Sequence, residues 1–119
     1  MGQTEAEIQT VLLVEDDDEW AKIFTDVLKK AGNRVEVVRS ATEAREVLNG
    51  EKPIARVVTD GLEGNCVRVV RAAQQRGLPV KVVSSDYHLR RDLGEQGLEV
   101  DFVAKRDWVR ASAEERSKL

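Results

Sequence analysis

The sequence predicts an α/β protein with a doubly wound, five-stranded parallel sheet and helices on both faces. Short β-branched runs recur along the chain and alternate with segments whose apolar residues follow helical spacing. The runs are too uniformly apolar for a sheet with one face in water, which favours a parallel sheet covered on both sides. This alternation predicts the strand order 2-1-3-4-5.

The predicted strands are short, valine-rich runs. They read TVLLV (10–14), RVEVV (34–38), ARVVT (55–59), PVKVV (79–83) and EVDFVA (99–104). β-branched side chains pack well on the pleated surface of a half-buried or buried sheet. We therefore expect these runs to form the centre of the protein.

Helical segments separate the strands, and the first two carry clear start and stop signals. The first has an apolar stripe over residues 20–31 and ends at Gly32, a residue that commonly terminates helices. Ser40 and Glu43 form a capping box for the second helix, which Asn49-Gly50 closes.

Three further helices complete the alternation. The third is predicted over Asn65–Arg76, the fourth over 85–97 despite Gly94, and the fifth from Asp107 onward. Cys66 lies on the apolar face of the third helix and is expected to be buried and inert. A single cysteine excludes an internal disulfide and a cysteine-based zinc site.

Composition and charge favour a single domain and argue against several classes of function. We expect a polar N-terminal extension over 1–9 and one domain over 10–119, a length sufficient for one core. The net charge of −3 argues against direct nucleic-acid binding. No apolar run reaches the roughly 20 residues of a membrane helix, and the N-terminus is no signal peptide. A cytoplasmic monomer or weak dimer is expected.

Polar residues with complementary charges follow the predicted strands at their carboxyl ends. Because the carboxyl ends of parallel strands meet at one edge of the sheet, these side chains are expected to share a crevice. They are Glu15 and Asp16 after strand one, Asp60 after strand three, Ser84 at strand four and Lys105 after strand five.

The acidic residues of this crevice predict a metal site. Three close carboxylates cannot all stay ionised without a cation, and Lys105 balances only one of them. All-oxygen ligands fit Mg²⁺, so we expect it at Glu15, Asp16 and Asp60. The neighbouring acids 17–19 are expected to belong to the start of the first helix and not to the metal site, because negative charge is favoured in the first turn of a helix.

These motifs, in this order, resemble the receiver domain of response regulators in two-component signalling. The matching segments are VLLVED, VVTD, VVSS and DFVAK, which lie between about Thr10 and Trp108. The resemblance implies a phosphoacceptor domain that receives a phosphoryl group from a histidine kinase or phosphotransfer protein. It also implies an unidentified downstream protein partner and no enzymatic activity beyond self-phosphorylation and slow autodephosphorylation.

The resemblance assigns a role to each matching residue. Asp60 would be the phosphoacceptor and, with Asp16, would bind Mg²⁺ directly, whereas Glu15 would act through water. The backbone carbonyl of Leu62 would complete the metal shell. Lys105 would pair with a phosphoryl oxygen.

The remaining assignments concern switching and partner binding. Ser84 would hydrogen-bond the phosphorylated side chain, and Phe102 would be the aromatic residue that rotates upon phosphorylation. The expected partner surface comprises Arg90, Arg91, Arg106 and Trp108.

The sequence departs from the family directly after Asp60. Receivers carry a longer loop with a proline there, whereas GLEGNC follows here, and Arg106 replaces the proline usual after the strand-five lysine. The segment DGLEG also resembles the part that follows that longer loop, in which case the chain would lack its phosphoacceptor. The apolar run ARVV before Asp60 favours the alignment in which Asp60 is the phosphoacceptor.

Two other functions stay open on sequence grounds. A degenerate receiver would bind proteins without phosphorylation. A phosphatase of the haloacid dehalogenase kind would use Asp16 and Asp18, but it needs a hydroxyl residue near the position of Trp20. A Rossmann cofactor protein is disfavoured because no G-x-G-x-x-G follows the first strand.

Overall fold

Five parallel strands form one sheet in the computed structural model, which describes residues 8–118. The strands are β1 (Thr10–Val14), β2 (Arg34–Val38), β3 (Arg56–Thr59), β4 (Val80–Ser84) and β5 (Asp101–Ala104). They pair in the order β2-β1-β3-β4-β5, which confirms the predicted fold class, a flavodoxin-like sheet. Residues 1–7 of the predicted N-terminal extension lie outside the described residues.

The helices cover both faces of this sheet. They are α1 (Asp18–Lys30), α2 (Ala41–Asn49), α3 (Cys66–Gln75), α4 (Tyr87–Glu95) and α5 (Lys105–Lys118), with a 3₁₀ turn at Leu62–Gly64. The predicted start of the fifth helix at Asp107 was wrong by two residues. Neither glycine nor proline separates the strand from the helix, so helical backbone begins directly after Ala104.

Side-chain caps fix where three of the helices begin. Asp17 accepts a hydrogen bond from the Trp20 N–H at 3.0 Å, and two more acids occupy the first turn of α1. Ser40 and Asp86 cap α2 and α4 in the same manner. The caps satisfy N–H groups that lack partners inside the helix. The acidic run after β1 therefore divides into strand-end and helix-start residues, as its sequence predicts.

The hydrophobic core lies on both sides of β1, the strand between β2 and β3. Under α1 and α5 it contains Val11, Leu13, Phe24, Leu28, Val58 and Val83. Under α2 and α3 it contains Leu12, Val14, Val38, Ala44, Leu48, Val57 and Val69. Because alternate β1 residues face opposite sides, a fully buried run such as VLLV suits this position.

Within residues 8–118, no helix combines the length and the apolar character needed to cross a membrane.

Candidate functional site

Strand pairing brings the predicted acids together at the carboxyl edge of the sheet. Val14 of β1 is in register with Thr59 of β3, so the residues that follow them, Glu15 and Asp60, leave adjacent strand ends. One carboxylate oxygen from each of Glu15, Asp16 and Asp60 lies within 4.8 Å of the others. The three acids therefore converge, as expected for side chains at this edge.

The same pairing places the hydroxyl and the ammonium group nearby. Ser84 is in register with Ala104, and Lys105 follows Ala104 as the first residue of α5. A cavity of about 210 Å³ is lined by Ser84, Lys105 and Asp60, among other residues. Residues from three strand ends thus surround one small space.

Lys105 lies between two of the acids. Its Nζ is 2.8 Å from Asp60 Oδ1 and 3.0 Å from Glu15 Oε1. The side chains are largely shielded from solvent, with exposed fractions of 9% for Lys105, 14% for Asp60 and 0% for Glu15. The Trp20 ring centroid lies 5.0 Å from the same nitrogen, which adds a cation–π contact. We call Glu15, Asp16, Asp60 and Lys105 the strand-end cluster.

The charges of the strand-end cluster are coupled. Burial, and secondly the negative charge of Asp60, raise the pKa of Glu15 to about 7. The N–H of Asp17 and the ammonium of Lys105 oppose this rise. Burial alone would lower the pKa of Lys105, but its close contacts with the carboxylates of Asp60 and Glu15 raise it above the ordinary value. Lys105 is therefore a permanent cation beside two acids.

The donor set fits a hard divalent cation such as Mg²⁺. Glu15 Oε1 is buried and has no hydrogen bond of ordinary geometry, although it lies within ion-pair distance of Lys105. Asp16 is exposed and Asp60 partly buried, so the group opens to solvent on one side. Mg²⁺ takes oxygen ligands, binds through one or two carboxylates and keeps several waters. The residues present match those requirements.

A tight turn shapes the backbone after Asp60. The Leu62 N–H donates to Asp60 Oδ2 at 3.0 Å, whereas the Leu62 carbonyl accepts from the Asn65 N–H at 3.0 Å. Leu62 and Glu63 adopt left-handed φ values of 51° and 54°, which are unfavourable for residues other than glycine. The turn thus directs an N–H group to Asp60. The metal role of the Leu62 carbonyl stays a prediction.

Gly61 allows this turn to pass close to Ser84. A Cβ atom at this position would lie 2.9 Å from Ser84 Oγ and 2.7 Å from Leu89 Cδ2, closer than ordinary contacts. Ser84 Oγ in turn accepts the Asp86 N–H at 3.0 Å. A larger residue directly after Asp60 would therefore require the side chains of Ser84 and Leu89 to shift.

Solved structures resemble the fold of this chain, although no protein-family model and no curated protein matches the sequence. A response regulator receiver protein from Sinorhizobium medicae WSM419 is 26% identical over 84% of each chain, with a TM-score of 0.72. One from Pseudomonas putida is 28% identical over 83% of this chain and 87% of that chain, with a TM-score of 0.68.

This chain has the receiver-domain fold. A CheY-like receiver domain from Methanospirillum hungatei JF-1 adds fold evidence alone, at 19% identity, 94% and 96% coverage of this and that chain, and a TM-score of 0.71.

The predicted switch residue and partner surface occupy the α4 and α5 side of the molecule. Phe102 is half-buried and packs against the core between β5 and α4. Arg90, Arg91 and Arg106 are exposed. Trp108 is only half-exposed, because its ring packs edge-on against Phe24 with centroids 4.9 Å apart. This packing favours a structural role for Trp108, and the partner surface stays a prediction.

Sequence reasoning missed three residues of the candidate site. Trp20 was assigned only to the apolar stripe of α1, and Gly61 only to a shortened loop. Buried Thr59 donates its hydroxyl proton to the Asp60 carbonyl at 2.8 Å. A threonine at the end of an otherwise apolar buried strand was a readable signal, since such a hydroxyl requires a partner. The contacts of Trp20 and Gly61 depend on tertiary structure.

Proposed function

We propose that this chain is a phosphoacceptor receiver domain of a two-component phosphorelay. Its phosphodonor would be a histidine kinase or phosphotransfer protein in the cytoplasm, and its acceptor is Asp60. The observation that supports this most directly is the 2.8 Å contact between Lys105 Nζ and Asp60 Oδ1 beside two further acids.

The proposed reaction transfers a phosphoryl group between two nucleophiles. A carboxylate oxygen of Asp60 forms a bond to phosphorus while the P–N bond of a phosphohistidine breaks. The imidazole nitrogen leaves with the electron pair and takes up a proton. Positioning and charge stabilisation supply most of the catalysis in such transfers.

The residues around Asp60 suit this chemistry. Lys105 supplies a cation whose position Glu15 and the Trp20 ring maintain. The Ser84 hydroxyl can donate its proton to a phosphoryl oxygen in the cavity that it lines. Glu15, Asp16 and Asp60 would hold Mg²⁺, which offsets the negative charge of the transferring group.

Phosphorylation is then proposed to alter a protein-binding surface. Movement of Ser84 toward the acyl phosphate and rotation of half-buried Phe102 would change the α4 and α5 side. We propose no turnover of a separate substrate. Asp18 lies outside the acid group and pairs with Arg39, so a phosphatase mechanism lacks its second acid there.

The alternative is a degenerate receiver that binds proteins without phosphorylation, and the turn after Asp60 favours it. The Leu62 N–H already occupies Asp60 Oδ2, and the Leu62 carbonyl is used within the turn. A domain with this turn would keep the sheet and its surfaces while its acceptor carboxylate stays tied to the backbone.

Intact-mass measurement with acetyl phosphate separates the two proposals. The wild-type protein is expected to gain one phosphoryl group when Mg²⁺ is present and none in EDTA. Asp60→Asn should abolish the gain. Glu63→Gln removes an exposed acid from the lining of the cavity beside Asp60 and should leave the gain of one phosphoryl group unchanged. A folded wild-type protein that gains no mass with Mg²⁺ would establish the degenerate alternative.

A further inference from the structure

A groove between α2 and α3 is lined by several basic side chains. Its volume is about 280 Å³. We call it the arginine groove, and its lining consists of Arg45, Asn49, Arg68, Arg71, Ala72 and Gln75. It lies on the face of the sheet opposite α1 and α5, away from the predicted partner surface on α4 and α5.

Within the part of the chain that the structure describes, the three arginines of the groove have no acidic partner. None of the positions three or four residues before or after Arg45, Arg68 or Arg71 is acidic. Among the described side chains, no ion pair involves any of the three. By contrast, α1 and α4 carry acid–base pairs at i,i+4, such as Lys30 with Asp26. The groove therefore concentrates positive charge on a protein whose net charge is −3.

The donors of the groove match anions with several oxygens. Each guanidinium presents five N–H groups in a planar fork that fits carboxylates and phosphates. Asn49 and Gln75 add amide donors at the carboxyl-terminal ends of α2 and α3. Ala72, a small buried residue, leaves space between the helices. The groove is thus open, rich in donors and without an internal counter-charge.

We propose that the arginine groove binds a short, extended acidic segment of a partner protein. The helix α3 is about 15 Å long at 1.5 Å per residue, which matches about four residues of an extended chain. Glutamate or aspartate side chains of such a segment can reach the three guanidinium groups. This surface goes beyond the phosphoacceptor function and does not depend on it.

The surrounding charges favour a peptide over a nucleic acid. Arg68 also lines a second cavity, of about 280 Å³, whose lining includes the acids Asp16 and Glu63 together with Arg39, a cation already paired with Asp18. A nucleic-acid backbone carries charge continuously and would continue past Arg68 toward these acids. A short acidic peptide needs only the local match along the two helices. The net negative charge of the chain further disfavours long polyanions.

Fluorescence anisotropy with a labelled oligoglutamate peptide tests this proposal. EDTA is included so that the strand-end cluster plays no metal-dependent part. Wild type should bind in a salt-sensitive manner. The triple variant Arg45→Gln, Arg68→Gln, Arg71→Gln should bind about tenfold more weakly, since three charge contacts are lost. Asp60→Asn should bind like wild type, which separates this result from failure of the phosphoacceptor proposal.

A matched control removes the same charge elsewhere. The triple variant Lys22→Gln, Lys29→Gln, Arg34→Gln changes exposed cations on α1 and β2 and should retain wild-type affinity. Circular dichroism establishes that both triple variants are folded. Arg71→Glu, which retains a strong helix former, provides a second variant that should weaken binding.

Three results would overturn the proposal. The first is an absence of salt-sensitive peptide binding by the wild-type protein. The second is equal loss of affinity in the two triple variants, which would indicate a general charge effect. The third is tighter binding of a single-stranded oligodeoxynucleotide of equal charge through the same arginines, which would make the groove a nucleic-acid site.

Discussion

The strand-end cluster and the arginine groove hold their charges in opposite ways. In the cluster, one buried cation contacts two acids at 2.8 and 3.0 Å. In the groove, three cations lie at the surface with no acid among the lining residues. Burial makes each charge depend on its neighbours, whereas water compensates an exposed one. We therefore expect the cluster to govern stability and the groove to govern binding.

Removing the cation of the cluster should give the largest effect on stability. Lys105→Met leaves Glu15 and Asp60 close together without a partner, and breaking a buried pair costs about 3–5 kcal/mol. We expect this loss in the free energy of unfolding, measured with urea at pH 8 in EDTA. Mg²⁺ should restore part of it, because a ligand that binds only the folded state stabilises that state.

An exposed ion pair provides the control for this loss. Lys52 Nζ lies 2.6 Å from Glu36 Oε2, yet 60% of the Lys52 side chain is exposed. Lys52→Met should change stability by less than about 1 kcal/mol. Equal losses in the two lysine variants would show that burial does not distinguish these pairs.

The second largest effect concerns the pH dependence of stability. The pKa of Glu15 is raised from an ordinary 4.5 to about 7, first by burial and then by Asp60. Because the folded carboxyl binds its proton more tightly, its stabilising contribution is complete below about pH 4.5 and is lost as pH rises to about 7. The loss approaches about 3 kcal/mol in the absence of metal.

Glu15→Gln removes this titration while keeping the shape of the side chain. Urea unfolding from pH 5 to 8 in EDTA should show the variant gaining stability relative to wild type as pH rises. A constant difference across that range would mean that Glu15 is already ionised at low pH and would contradict the assignment.

The smallest effect should have the opposite sign to that of the lysine variant. Arg68 and Arg71 are like charges at i,i+3 on α3, and such a pair costs a few tenths of a kcal/mol. Arg68→Gln should therefore raise the free energy of unfolding by about 0.3 kcal/mol. Arg91→Gln, which removes an i,i+4 partner of Glu95, should lower it by a similar amount. If Arg68→Gln and Arg91→Gln both lowered the free energy of unfolding, paired and unpaired surface arginines would not differ in their effect on stability.

The sequence was sufficient to predict the fold and the residues that converge. The carboxyl ends of parallel strands lie at the same edge of the sheet. Residues that follow the strands in the sequence therefore meet in one crevice, whatever the conformation of the loops. The turn after Asp60 was beyond this reasoning. Leu62 and Glu63 adopt left-handed conformations without being glycine, so no residue type signalled them.

The arginine groove could not be predicted for a related reason. Arg45 and Arg68 lie on helices separated by a strand and a turn, and only tertiary packing makes them neighbours. The one readable signal was the lack of acids at helical spacing around each arginine. Trp108 was placed on the partner surface, with packing against the protein as an equal alternative, and the contact of its ring with Phe24 on α1 supports the packing.

At Gly61 the segment that follows Asp60 lies close to Ser84 and to the first turn of α4. Its backbone passes so close to Ser84 and Leu89 that even one added carbon would overlap both. The absent side chain of Gly61 is what leaves space at this point, so movement of Ser84 or of the first turn of α4 toward Asp60 would use that space. The segments that follow β3 and β4, which are far apart in the sequence, therefore lie side by side at this glycine.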